Sequence, residues 1–216
     1  MSTTPDPERD ARLRTIAART IGHYDASAES FREGTRDHDV SQNVAALLDA
    51  IGGEPPLALL DLGCGPGRDL ATFRALGHTP VGIDGAATFV AMAKRDTDCE
   101  VLQQDFFHLD LGERSFDGVF ANASLFHVPS AILGEVLGKL RDALRPGGVL
   151  FCSNPRAFDV AQEGWQGDRY GTYLTVEGWT EALQSAGFVV ERTYLRPAGK
   201  PPAQQPWVAL VGRKPG

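Results

Sequence analysis

The apolar run Leu59-Leu60-Asp61-Leu62 feeds directly into Gly63-Cys64-Gly65-Pro66-Gly67-Arg68, with a carboxylate just ahead of the glycines. Glycines lack the Cβ that bars positive φ and close approach of a ligand. A strand that ends in them turns sharply at the edge of a sheet and offers its backbone as a cradle. Which ligand the cradle suits is limited by the neighbouring residues. A dinucleotide fingerprint G-x-G-x-x-G counted from Gly63 needs a third glycine at position 68, where the chain has Arg68, and Pro66 removes an amide that could meet phosphate. Asp61 would repel a phosphate and suits a cationic amine.

Further acids follow at regular intervals. Residues 68–76 have helical spacing and lead to Thr79-Pro80-Val81-Gly82-Ile83-Asp84, an apolar run that ends in a carboxylate 23 residues beyond Asp61. That distance is one strand-helix-strand unit, and an acid at the end of the second strand can accept hydrogen bonds from both hydroxyls of a ribose. A third acid closes Val101-Leu102-Gln103-Gln104-Asp105-Phe106. The segments Ser115 to Asn122 and Leu144-Arg145-Pro146-Gly147-Gly148-Val149-Leu150 come after it. In this order the segments resemble the class I S-adenosylmethionine-dependent methyltransferases, over roughly residues 57–150. The implied cofactor, S-adenosylmethionine with S-adenosylhomocysteine as product, carries an ammonium, a sulfonium and no phosphate, in keeping with Asp61. The resemblance implies a Rossmann-like fold with Asp61, Gly63, Gly65 and Asn122 at the methionine end and Arg68 on its carboxylate. Asp84 and Gly85 would lie at the ribose, and Asp105 and Phe106 at the adenine.

Bulk properties narrow the acceptor. The 216 residues, 42% of them hydrophobic, suit a single domain with a sizeable core, with residues 1–51 as N-terminal helices and residues 57–216 as the α/β part. A formal net charge of -7 supplies no general basic face for nucleic acid. Cys64, Cys99 and Cys152 are odd in number and widely separated, which reads as reduced thiols without a metal site. Residues 1–10 are polar, and no run approaches the roughly 20 apolar residues of a membrane helix. The expectation is a cytoplasmic protein, monomer or homodimer, that acts on a small molecule.

Periodicity predicts a frayed end over 1–7, helices over 8–22, 26–34 and 40–51, and then alternation. Strands are expected at 57–62, 81–84, 101–103, 116–121, 148–153, 189–194 and 207–212, with helices at 68–76, 86–95, 131–144 and 176–186. The fold class is therefore α/β, a doubly wound, mostly parallel seven-stranded sheet with an N-terminal helical lid. The last two strands lie too close for a helical crossover and should pair antiparallel at one edge. The proline-rich stretch 197–206 joins them as a loop.

Chemistry should sit beyond the carboxyl ends of the strands. Tyr24 opens a Y-D-x-x-A-x-x-F pattern that resembles the N-terminal helix of small-molecule methyltransferases, where aromatic residues fold over the cofactor. Arg36, His38 and Asp39 belong to a dense polar loop. His38 and Asp39 could move a proton, although Asp39 could equally cap the next helix. His127, after the fourth strand, is a further candidate base, or a buried imidazole that holds a loop carbonyl. Asn154 and Arg156, with Trp165, Arg169, Tyr170 and Tyr173 in a long insertion, would cover a polar substrate. Arginines for a carboxylate and aromatics for a planar or cationic group favour nitrogen methylation of an amino-acid-like or heteroaromatic compound. Oxygen or sulfur methylation, a non-catalytic cofactor-binding subunit and an NAD-dependent oxidoreductase are the alternatives.

Overall fold

A computed structural model describes residues 6–216; residues 1–5 of the expected frayed end lie outside them. Asp6 accepts from the amides of Glu8 and Arg9 and Pro7 takes the first helical position, which together start α1 (Pro7–Ala26). This helix passes through Gly22 instead of ending there. The cost of a mid-helix glycine, about 1 kcal/mol, is outweighed by packing of the last turn, where Tyr24 meets Phe31 and Phe89 at ring-centroid distances of 5.6 and 5.9 Å. Helices α2 (Ala28–Thr35) and α3 (Ser41–Ile51) follow.

The α/β part runs β1 (Ala58–Leu62), α4 (Arg68–Ala75), β2 (Thr79–Asp84), α5 (Ala87–Thr97), β3 (Glu100–Gln103), β4 (Phe116–Asn122), α6 (Ser130–Ala143) and β5 (Leu144–Pro155). It continues through β6 (Gln162–Gln166), β7 (Arg169–Tyr173), α7 (Val176–Ser185), β8 (Val189–Arg196) and β9 (Trp207–Arg213). The seven-stranded sheet has the order β3-β2-β1-β4-β5-β9-β8. Strands β1 to β5 are parallel, and β9 is antiparallel to both β5 and β8. The insertion expected to be a loop contains an antiparallel hairpin, β6–β7.

Alternation along the strands divides the core between the two faces. Leu60, Val119, Leu150 and Leu210 pack under α6 and α7 with Trp179, while Leu59, Phe120, Phe151 and Ala209 pack under α3 with Phe73. Among the described residues no helix is long and apolar enough to cross a membrane. Because β8 runs in the same sense as β1 to β5, its carboxyl end and the start of β9 open on the same edge as the glycine turn. That edge carries the site.

The turn after β1 is fixed by sterics as well as by hydrogen bonds. Gly63 has φ +78, and a Cβ there would lie 2.5 Å from the Ser124 Cβ. We predict that Gly63→Ala lowers stability by about 2–4 kcal/mol, through strain plus overpacking, or roughly 4–16 °C in Tm. Gly134→Ala, at a solvent-facing position of α6 with nothing within 4 Å, should instead raise stability by about 0.5–1 kcal/mol. Thermal unfolding of both variants checks the opposite signs.

Candidate functional site

The glycine turn is held by the strand beside it. Gly63 and Cys64 donate to the Ile83 carbonyl at 2.8 and 3.1 Å, and Gly65 donates to Asp84 Oδ2 at 3.0 Å. The other Asp84 oxygen accepts from Ala86 at 2.9 Å, so one carboxylate links the turn to the start of α5. Burial pushes the Asp84 pKa up to about 6 against the pull of these backbone donors. Beneath the turn Asp61 is fully enclosed, its Oδ2 has no hydrogen-bond partner, and burial with the nearby Asp69 charge drives its pKa well up. An uncompensated buried carboxylate oxygen is costly.

Above the turn lies a cavity of about 760 Å³. It gathers Tyr24, His38, Asp39, Gly63, Gly65, Arg68, Asp84, Gly85, Asp105, Phe106, Asn122 and His127 from six separate segments. Asp61 lies below this wall and does not line it. Arg68 lines it but is engaged: Nε and Nη2 donate to Asp69 at 2.8 and 2.9 Å, and Nη1 to the Thr35 carbonyl at 3.1 Å. The expected pairing of Arg68 with a ligand carboxylate thus competes with a bidentate internal one. Asp105 Oδ1 accepts from the amides of Phe107 and His108 at 2.8 and 2.9 Å and holds Phe106 at the cavity wall. Asp39 Oδ1 accepts from Ser41 N at 2.9 Å at the start of α3, which holds its pKa below the usual range.

His127 is buried, with Nδ1 2.7 Å from the Tyr170 carbonyl and Nε2 2.8 Å from the Tyr24 hydroxyl. A carbonyl can only accept, so Nδ1 carries the proton and the Nε2 lone pair receives the tyrosine O–H. Burial lowers the His127 pKa to about 4. The imidazole joins α1 to the loop after β4, and the lid is further closed by Phe31 against Phe89 at 5.2 Å and by Asp25, which accepts from Thr88 N at 2.8 Å.

The insertion does not cover the cavity as expected. Its hairpin packs on α1, where Arg19 stacks on Trp165 at 4.4 Å and the Tyr170 hydroxyl meets Glu163 and Arg12. Only Arg169 of the hairpin reaches the cavity. Asn154 is buried under the loop after β4 and accepts from Phe126 N at 3.1 Å. Arg156 donates to the carbonyls of Gln205 and Pro202 and, with Tyr173, lines a separate pocket of about 390 Å³. Arg36 is exposed and pairs with Asp37. Trp165, Tyr170, Asn154, Arg156, Tyr173 and Arg36 do not line this cavity.

In their place the cavity has Ala123, Phe126, Arg196 and Trp207. Arg196 and Trp207 were findable from the direction of β8, whose end must open on the functional edge. Ala123, at φ +62 with its amide on the Ser153 carbonyl, had no sequence signal.

Residues 59–148 match the methyltransferase domain family. Over this stretch the chain is similar to methyltransferase domains. It is 26% identical over 198 residues to a sterol 24-C-methyltransferase of Yarrowia lipolytica, covering 83% of this chain and 50% of that one. It is 30% identical over 149 residues to a ubiquinone biosynthesis O-methyltransferase of Dinoroseobacter shibae, covering 61% and 59%. Among solved structures, it shares the fold of a Burkholderia thailandensis 1,6-didemethyltoxoflavin-N1-methyltransferase bound to 1,6-didemethyltoxoflavin and S-adenosylhomocysteine. The TM-score is 0.76 at 24% identity, covering 100% of this chain and 93% of that one. The chain spans half the length or less of the first curated relatives it matches.

We predict that the His127 ring stays neutral, as the Nδ1–H tautomer, until the pH falls near 4. Its folded pKa lies below the ordinary 6.5, so its contribution is fully present above pH 6.5 and is lost as pH falls towards about 4. Nitrogen-detected NMR of the imidazole should show no titration between pH 7 and 5; a midpoint near 6.5 would contradict the bridge.

Proposed function

We propose that the chain transfers the methyl group of S-adenosylmethionine to a small-molecule acceptor, at a nitrogen of an amino-acid-like or heteroaromatic compound. The observation that carries this reading is the pairing of two carboxylates with one glycine turn, Asp84 beside it and the partnerless Asp61 beneath it. Asp61 would hold the cofactor's amine through the turn, Asp84 its ribose hydroxyls, and Asp105 with Phe106 its adenine. A pyrophosphate has no comparable place there, which disfavours the oxidoreductase reading.

Bound in this way, the cofactor supplies an electrophilic methyl group on a sulfonium. The chain's own residues would align the acceptor and exclude water, which is the larger part of catalysis where charge is dispersed instead of created. Tyr24, Phe31, Phe89 and Phe126 form the dry wall. His38 and Asp39 stand at the cavity's polar side and would take the proton that a protonated nitrogen must lose. His127, its lone pair given to Tyr24, is a positioning residue that holds the lid. Support for nitrogen comes from aromatic rings and proton-accepting groups on the same cavity.

Calorimetry should show S-adenosylhomocysteine binding and no NADH binding, and Asp84→Ala should weaken the former by about 1.5–3 kcal/mol, roughly 10–100-fold. NADH binding in its place would overturn the cofactor reading. Incubating the purified chain with methyl-labelled cofactor and a metabolite extract should transfer label. Transfer that begins only once a partner protein is added would establish the non-catalytic subunit instead.

A further inference from the structure

Three arginines line the cavity, and their partners differ. Arg68 is saturated by Asp69 and the Thr35 carbonyl. Arg169 faces the Tyr24 hydroxyl and His127, where its charge acts on both groups. Arg196 is partly buried at the end of β8, between the polar loop at Asp39 and the Trp207 ring at the start of β9. Among the described residues it forms no ion pair. Its hydrogen-bond partner is the neutral Gln42, which, with its amide turned so that the oxygen faces Arg196, accepts from Nε at 3.3 Å and Nη2 at 2.9 Å. Burial presses its pKa down against the opposing pull of Tyr194 and Asp39, the reverse of the net effect of ion pairing on Arg68.

A guanidinium placed in a ligand cavity and orientated by a neutral amide, with the Asp39 carboxylate near but not in contact, is a receptor for an anion that arrives with the ligand. In the cofactor placement proposed above, that anion comes from the acceptor. The glycine turn, Asp84 and Asp105 lie at the ends of β1, β2 and β3, whereas Arg196 lies at the opposite end of the sheet, past β4, β5 and β9. We propose that Arg196 is the specificity-determining residue for the acceptor, binding a carboxylate on a compound whose planar body lies against Trp207. This rests on the methyltransferase reading and narrows it, since it makes the acceptor an organic acid. Asp39, on the same side of the cavity, would disfavour a second negative charge and is suited to an amine on the same molecule.

The test uses the full chain saturated with S-adenosylhomocysteine and pairs of small ligands that differ only in charge: anthranilate and anthranilamide, nicotinate and nicotinamide, phenylalanine and its amide. Binding is read by calorimetry or ligand-observed NMR. At least one acid should bind about tenfold or more tightly than its amide, as loss of a charge-assisted contact implies. Arg196→Gln should abolish the difference and Arg196→Lys should restore part of it, with S-adenosylhomocysteine affinity within about twofold of wild type in both, because neither variant alters the turn that holds it. If every acid and amide binds alike, if no acid binds the loaded protein, or if the preference survives Arg196→Gln, the assignment is wrong. The wild-type comparison stands even if a variant fails to fold. Failure of S-adenosylhomocysteine itself to bind would overturn the methyltransferase reading, a separate result.

Discussion

The contact on which the site depends is the hydrogen bond from Gly65 N to Asp84 Oδ2, together with the two turn amides that share the Ile83 carbonyl. These bonds press the turn after β1 onto the end of β2. Three consequences follow from that approach. Gly63 has no room for a Cβ against Ser124, which brings the loop after β4 to the same point. Asp61 is sealed below the turn with one oxygen partnerless. The Asp84 carboxylate is held at the cavity wall with a raised pKa, a stored electrostatic cost that donors on a ligand can relieve.

Closure of the cavity is a matter of packing more than of charge. Tyr24, Phe31 and Phe89 meet edge to face or tilted, and the polar latches are the Tyr24 hydroxyl on a neutral His127 and the Thr88 amide on Asp25. Because His127 donates its one N–H to the Tyr170 carbonyl, the hairpin β6–β7 reaches the site through a histidine and through Arg169, not through its own aromatic rings. The insertion thus supports the lid from behind. Arg19 on Trp165 and Tyr170 N donating to Thr20 at 3.1 Å fasten it to α1.

Much of this was legible in the sequence because the cofactor half is local. A strand, a glycine turn, a helix and a strand-ending acid are fixed by residues 59 to 85, and their spacing carries the geometry. The alternation also predicted all seven strands of the sheet and the antiparallel pair at its edge. The acceptor half is not local. Arg196 comes to it because β9 lies antiparallel to both β5 and β8, leaving β8 parallel to β5, a consequence of pairing that no single segment encodes. Trp165 and Tyr170 read as substrate groups from composition, whereas hairpin pairing directs them to α1. Gly22 read as a helix end, but aromatic packing on either side of α1's last turn carried the helix through it.

The central claim is that the turn and its two acids hold S-adenosylmethionine and its product. A crystal structure of the full chain grown with S-adenosylhomocysteine tests it most directly. The account predicts both ribose hydroxyls within about 2.5–3.2 Å of Asp84 and the amine at the turn above Asp61, with the sulfur facing Asn122. Ligand elsewhere on the protein, or ribose contacts that bypass Asp84, would contradict it.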